Sequence, residues 1–148
     1  MDAADGLAYR APTGTGVDGL FREAAVAARQ AYCPYSGVHV GAAVQLQGGQ
    51  VFAGCNVENS SYPVGTCAER DAIAAAMLGR DVPDNALVTL VLVAYRKGGE
   101  EPIECSPCGA CRQAIVEQNP HAVIHFLGRD LVLRSNTASE LLPESFHL

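Results

Sequence analysis

Apolar residues recur along the chain at three different spacings, and each spacing predicts a different element. Val17, Leu20, Phe21, Ala24, Ala28, Ala31 and Tyr32 keep a helical period, with Asp18, Arg22, Glu23 and Arg29 opposite; this predicts an amphipathic helix. Pro34 and Gly37 end it, leaving residues 33–37 as a turn. Val38, Val40, Ala42, Val44 and Leu46 then alternate with His39, Gly41, Ala43, Gln45 and Gln47, which predicts a strand with one buried face. Gly48-Gly49 is a hairpin signal, and residues 50–54 return as the partner strand. Residues 55–66, polar and carrying Pro63 and Gly65, read as an ordered loop. Residues 67–78 are rich in Ala, with Ile73, Met77 and Leu78 spread round the circumference. A helix that is apolar nearly all round belongs in the middle of a domain, and Gly79 is placed to end it.

Residues 87–95 form a near-continuous Val- and Leu-rich run, as expected of a central strand covered on both faces. A charged, Gly-containing loop follows at 96–102, then a short helix at 109–118 closed by Asn119-Pro120. Two short strands at 122–127 and 131–134 flank Gly128, and 139–142 makes one helical turn. The sum is an α/β fold: a three-layer α/β/α sandwich around a mixed five-stranded sheet. Residues 1–16, rich in Gly, Ala, Thr and Pro without periodicity, are expected to be a flexible tail, and 17–148 a single domain.

Composition narrows the function. The chain has 148 residues, 49% of them hydrophobic, enough for one domain with its own core. Its net charge of −6 and the absence of a Lys/Arg cluster argue against a nucleic-acid polymer as partner. A small-molecule ligand fits better. No run of eighteen apolar residues is present, so no membrane span is expected. Met1-Asp2-Ala3-Ala4-Asp5 is acidic and lacks the apolar region of a secretory signal. Six cysteines in such a chain read as thiols or metal ligands, and the expected compartment is cytoplasmic.

Three of those cysteines carry the chemistry. Cys67 stands alone before Ala68-Glu69-Arg70, and Cys108 and Cys111 form a Cys-x-x-Cys. Three thiolates hold a zinc ion on three sides and leave the fourth position open, the arrangement of zinc sites that perform chemistry. Glu69, two residues from a ligand, is placed to act as general acid/base without binding metal. Three thiolates and Zn²⁺ sum to −1, so charge must be drawn from the sulfurs. Two helix N-termini would do part of this, and Arg70 could donate to the sulfurs. Other readings of the cysteines are a closed structural zinc site, with Cys105 or a histidine as fourth ligand, and an iron–sulfur cluster on Cys67, Cys105, Cys108 and Cys111. Neither needs Glu69. Cys33 and Cys55 read as small buried hydrophobes, and His39, His121, His125 and His147 keep no motif spacing with the cysteines.

The order Cys67-x-Glu69…Pro107-Cys108-x-x-Cys111 is similar to that of zinc nucleobase deaminases. From Ala31 onward the chain resembles cytidine deaminases of the small, homotetrameric, three-cysteine class. The matching pieces are Ala31-Tyr32-Cys33-Pro34-Tyr35-Ser36, Val40-Gly41-Ala42-Ala43, Gly54-Cys55-Asn56-Val57-Glu58-Asn59, Tyr62-Pro63, Cys67-Ala68-Glu69-Arg70, Ser106-Pro107-Cys108-Gly109-Ala110-Cys111-Arg112-Gln113 and Leu141-Leu142-Pro143. The resemblance implies one Zn²⁺ per chain on Cys67, Cys108 and Cys111, with Glu69 moving protons as water attacks C4 of cytidine or deoxycytidine. It implies that Asn56 and Glu58 hold the ribose hydroxyls, that Ala68 and the residue at 38 meet the base, and that Arg70 contacts ligand sulfurs. Phe146 would enter a neighbouring subunit's site in a homotetramer. Two positions depart from the family: Val38 stands where it usually has Phe, and Asp71 where it usually has a small residue. A deaminase of another aminopyrimidine nucleoside, such as a modified cytidine or a blasticidin-like compound, is the alternative activity, and a zinc-stabilised module without turnover the alternative class.

Overall fold

The computed structural model describes residues 16–78 and 81–148. The expected tail, apart from Gly16, and the Gly79 stop signal lie outside the described residues. Helix α1 (Val17–Ala28) leads into a hairpin of β1 (Val38–Leu46) and β2 (Val51–Cys55). A short 3-10 turn (Tyr62–Val64) precedes α2 (Ala68–Met77), and β3 (Leu87–Arg96) follows. Then come β4 (Pro102–Ile103), α3 (Gly109–Gln118), β5 (Val123–Leu127), β6 (Leu133–Thr137) and α4 (Ala138–Leu141). The sheet runs β2-β1-β3-β5-β6, with β4 paired to β3 beyond β5. Five of its strands are those the alternation and apolar runs predict; β4 is a two-residue addition in the segment after Tyr95.

The sheet is mixed. β1 is antiparallel to both β2 and β3, while β3 and β5 are parallel. Strands β2 and β3 therefore point the same way, and the helices that follow them, α2 and α3, both begin at the same edge of the sheet. In open α/β sheets that edge, outside the carboxyl ends of the strands, is where ligands bind. The topology delivers two helix N-termini to one place.

Two cores hold the layers. On one face Val44, Leu90, Leu92 and Ile124 pack with Ala72, Ala76, Ile115 and Val116 of α2 and α3. On the other, Ala43, Val91 and Val93 pack with Leu20, Ala24 and Ala28 of α1. Strand β1 is thus covered on both sides in its middle, where period-two alternation predicts one buried face. The second face carries Gly41 and Ala43, whose small size lets α1 come close. A Cβ at Gly41 would lie 1.9 Å from the Ala24 carbonyl oxygen, and one at Gly54 would lie 2.4 Å from the Ala72 nitrogen. Helices α1 and α2 are each seated on the sheet through a glycine.

Boundaries move where tertiary pairing outweighs periodicity. The helical period extends to Tyr32, yet α1 ends at Ala28 because Tyr32 bridges to Val57 instead. Its N–H donates to the Asn56 carbonyl at 3.1 Å, and its carbonyl accepts from Glu58 N–H at 2.8 Å. Strand β6 starts at Leu133 rather than residue 131, because Leu131 takes φ 59° in a turn in which Asp130 accepts from the Val132 N–H. The last helical turn opens on a capping box between Thr137 and Glu140 and so begins one residue earlier, at Ala138.

These contacts predict that Gly41→Ala and Gly54→Ala each destabilise the protein by about 1–3 kcal/mol or more, as overpacking does. Gly109→Ala, with nothing within 4 Å of the added carbon, should be neutral or stabilising. Urea unfolding midpoints measure all three, and a Gly41→Ala protein as stable as its parent would contradict the packing of α1.

Candidate active site

Cys67 is the N-cap residue of α2 and Cys108 that of α3, both with extended backbone. Neither side chain caps its own helix, so the sulfurs face outward from two helix N-termini. Cys111 lies one turn into α3 and is fully buried. The Cys67 and Cys108 sulfurs are 4.0 Å apart, and Cys108 and Cys111 3.4 Å. All three lie within 4.8 Å of one another, and among the described residues no other group of three or more potential ligands gathers. Sulfurs bound tetrahedrally at about 2.3 Å sit roughly 3.8 Å apart, so this triangle is the right size for zinc. Cys105 is not part of it, and no histidine is, which removes the fourth protein ligand that a closed site needs.

The thiols do not share protons evenly. Hydrogen bonding with Cys111 and Cys108, together with the charge and hydrogen bond of Arg70, holds the Cys67 thiol down at about 5 against the opposing effect of burial. Cys111, by its hydrogen bonding with Cys67 and its burial, is pushed up. Cys105, desolvated and beside Glu69 and Cys67, is pushed up to about 12. Low-lying thiolates beside positive charge and helix N-termini are the reactive and metal-binding ones.

Glu69 is 4% exposed. Burial, reinforced by negative charge on Cys67, pushes its carboxyl up to about 7, while its own N–H and the Cys111 thiol pull the other way. A carboxyl balanced near neutrality can both accept and release a proton at working pH.

The site opens into a cavity of about 660 Å³ whose wall includes Asn56, Glu58, Ala68, Glu69, Cys67 and Cys108. Asn56 braces β1: its Oδ1 accepts from Val40 N–H at 2.8 Å and its Nδ2 donates to the Val38 carbonyl at 2.9 Å. One N–H of its amide remains. Glu58 accepts from the Tyr35 and Ser36 N–H groups and the Ser36 hydroxyl. These donors, led by the Ser36 hydroxyl, hold its carboxyl below its ordinary value, and about one of its four acceptor positions is left.

Not every expected residue joins the wall. Val40 lines the cavity where Val38 was expected, together with Tyr35, Ser36, Tyr62 and Thr66. Val38 contributes its carbonyl to Asn56. Val40 lies on the same face of β1, so alternation alone could not choose between the two. Phe146 is not on this chain's cavity wall; it is 68% exposed, with its carbonyl accepting from Gln113 Nε2 at 3.1 Å. Arg70 is exposed, and its guanidinium also reaches the Gly65 carbonyl at 3.5 Å.

An α/β sheet with a trithiol cluster on two helix N-termini, an adjacent buried carboxyl and a largely apolar cavity carrying Asn56 and Glu58 defines a metal-dependent hydrolytic site. Comparison with known proteins makes this specific: residues 17–127 match the family model of the cytidine and deoxycytidylate deaminase zinc-binding region, and the chain belongs to that family. A cytidine deaminase of Halalkalibacterium halodurans is 41% identical over 130 residues, covering 86% of this chain and 91% of that one. One from Sporosarcina psychrophila is 38% identical over 133 residues, covering 88% and 90%. The crystal structure of cytidine deaminase from Burkholderia pseudomallei superposes with a TM-score of 0.74 at 37% identity, covering 87% of this chain and 98% of that one.

In metal-stripped protein at pH 6.5, iodoacetamide should modify Cys67 first, because its thiolate persists down to about pH 5. Cys105 should stay unmodified until the pH nears 12. Peptide mapping by mass spectrometry reads the order, and early labelling of Cys105 would contradict it.

Proposed function

We propose that this protein hydrolyses the 4-amino group of cytidine and deoxycytidine, giving uridine or deoxyuridine and ammonia, in pyrimidine salvage. The observation that carries this is the buried Glu69 carboxyl beside a three-thiol cluster, at a cavity lined by Glu69, Cys67 and Cys108 together with Asn56 and Glu58. Cys67, Cys108 and Cys111 hold one zinc ion per chain, whose chemistry when bound is to render water nucleophilic near neutral pH. Glu69 takes up the water's proton on its carboxylate and passes it to N3 of the pyrimidine as the water oxygen bonds to C4. It then takes the proton of the new C4 hydroxyl and delivers it to the amine as the C4–N bond breaks, releasing ammonia. Arg70 draws charge from the sulfurs.

The remaining capacity at Asn56 and Glu58 matches a sugar hydroxyl. One amide N–H donates to its oxygen and one carboxylate position accepts its hydrogen. A site so built rejects ligands without the hydroxyl, because its own polar groups are then left unpaired. Ala68, first residue of α2, has an N–H free of intrahelical bonding and meets the base, which lies against Val40 with Val38 at the rim. A neighbouring copy supplies Phe146, and the chain works as a cytoplasmic homotetramer. The exposure of Tyr62 on the cavity wall at 85%, and of Val64 at 61% and Phe146 at 68%, supports a covering partner: large apolar side chains left open to solvent mark interfaces.

Loss of cytidine absorbance in the ultraviolet tests the activity directly. Glu69→Ala should keep fold and zinc yet lose at least about 10²–10⁴-fold in turnover, the contribution of a general acid–base group. Replacing Cys67, Cys108 or Cys111 by Ala should abolish the single zinc per chain measured by elemental analysis, while Cys105→Ala keeps it. A Glu69→Ala enzyme within a few-fold of its parent would end this mechanism.

Removing residues 145–148 should raise KM or lower kcat with zinc retained. Full activity from a dilute monomer would refute the shared site.

A further inference from the structure

Asp71, half-buried in the first turns of α2, belongs neither to the thiol cluster nor to the cavity lining itself. Its Oδ2 accepts from the Thr66 hydroxyl at 2.8 Å. Thr66 lines the cavity and exchanges two backbone hydrogen bonds with Val57, 3.1 Å from Val57 N–H to Thr66 carbonyl and 2.9 Å in return. Val57 lies between Asn56 and Glu58, and Thr66 immediately precedes Cys67, so one isolated bridge joins the sugar-facing segment to the thiol turn. A two-residue bridge has no neighbouring ladder to hold its register. The side of the segment away from Thr66 is fixed by Tyr32; the Thr66 side is fixed to α2 by Asp71.

We infer that Asp71 is a positioning residue for sugar recognition, holding Asn56 and Glu58 at their distance from Cys67 and Glu69 through the Thr66 hydroxyl. The inference rests on the sugar-binding role proposed above for Asn56 and Glu58. A carboxylate suits the post, since one turn inside a helix N-terminus it also lies in a favourable field. Loss of the hydrogen bond frees Thr66 and lets the segment 56–58 drift from the metal side of the cavity. Substrate capture then suffers while proton transfer by Glu69 does not.

The test compares Asp71→Ala, Asp71→Asn, Thr66→Val and the Asp71→Ala/Thr66→Val double variant. Kinetics are measured on cytidine and on 2′,3′-dideoxycytidine, which lacks both ring hydroxyls, alongside zinc content and amide hydrogen exchange. Asp71→Ala and Thr66→Val should each raise cytidine KM about three- to tenfold, the scale of one hydrogen bond, with kcat within about twofold. The double variant should be no worse than either single one. Asp71→Asn should stay near the parent because its amide oxygen accepts the same bond. The KM penalty should all but vanish for the dideoxy substrate, and exchange at the Val57 and Thr66 amides should quicken in Asp71→Ala. Equal penalties on both substrates, unchanged cytidine KM in Asp71→Ala, or Asp71→Asn as damaged as Asp71→Ala would overturn the inference. A parent protein that does not turn over cytidine would sink the functional reading and this inference with it. A working parent with an indifferent Asp71 sinks only the latter.

Discussion

Three sulfur atoms within 4.8 Å of one another concentrate negative charge in a small space, and the surrounding structure makes that concentration tolerable. Two helices present their N-termini to it, Arg70 stands at its edge, and the thiols donate to one another so that Cys67 bears the charge first. The same field acts on Glu69. The loss of water around the carboxyl, with a smaller contribution from charge on Cys67, keeps a proton available there near neutral pH. Thiol cluster and carboxyl are therefore electrostatically coupled, the Cys67 charge raising Glu69 and the Glu69 charge raising Cys111.

That unit depends on backbone contacts some distance away. Helix α2 can bring Cys67 and Glu69 to the sheet edge only because Gly54 lets it lie against β2, where a methyl group would come within 2.4 Å of the Ala72 nitrogen. On the opposite face Gly41 does the same for α1. The sheet is gripped from both sides at the hairpin, so the strand that continues into Asn56 has little freedom. Interiors this dense transmit position faithfully. The segment 56–58 is set by the hairpin on one side and by the Thr66 bridge on the other.

Ionic and polar side chains in the cavity wall serve two purposes at once. Glu58 organises the Tyr35–Ser36 turn and Asn56 extends the pairing of β1, yet each retains one hydrogen-bonding position toward the cavity. Binding groups preorganised by their own structural bonds lose little freedom when a ligand arrives. Cys105 shows the opposite case. Desolvation, reinforced by the negative charge of nearby Glu69 and Cys67, keeps it neutral, so proximity in sequence to Cys108 does not make it a ligand.

Local pattern was sufficient for much of this protein. The three apolar spacings determined the main elements and the α/β class, and Cys67-x-Glu69 with Cys108-x-x-Cys111 pointed to a metal and a proton carrier. Such features are legible because period and spacing are properties of neighbouring residues. Tertiary structure decided the rest. It ended α1 at Ala28 because Tyr32 gains two backbone hydrogen bonds from the segment 56–58, a partner far away in sequence. It chose Val40 rather than Val38 for the cavity wall, since two residues on one face of a strand differ only in what lies opposite them. It excluded Cys105 from the sulfur triangle, and it tied Asp71 to Thr66 across the start of α2. Each of these outcomes turns on distance between segments and on access to water, and neither quantity exists until the chain has closed on itself.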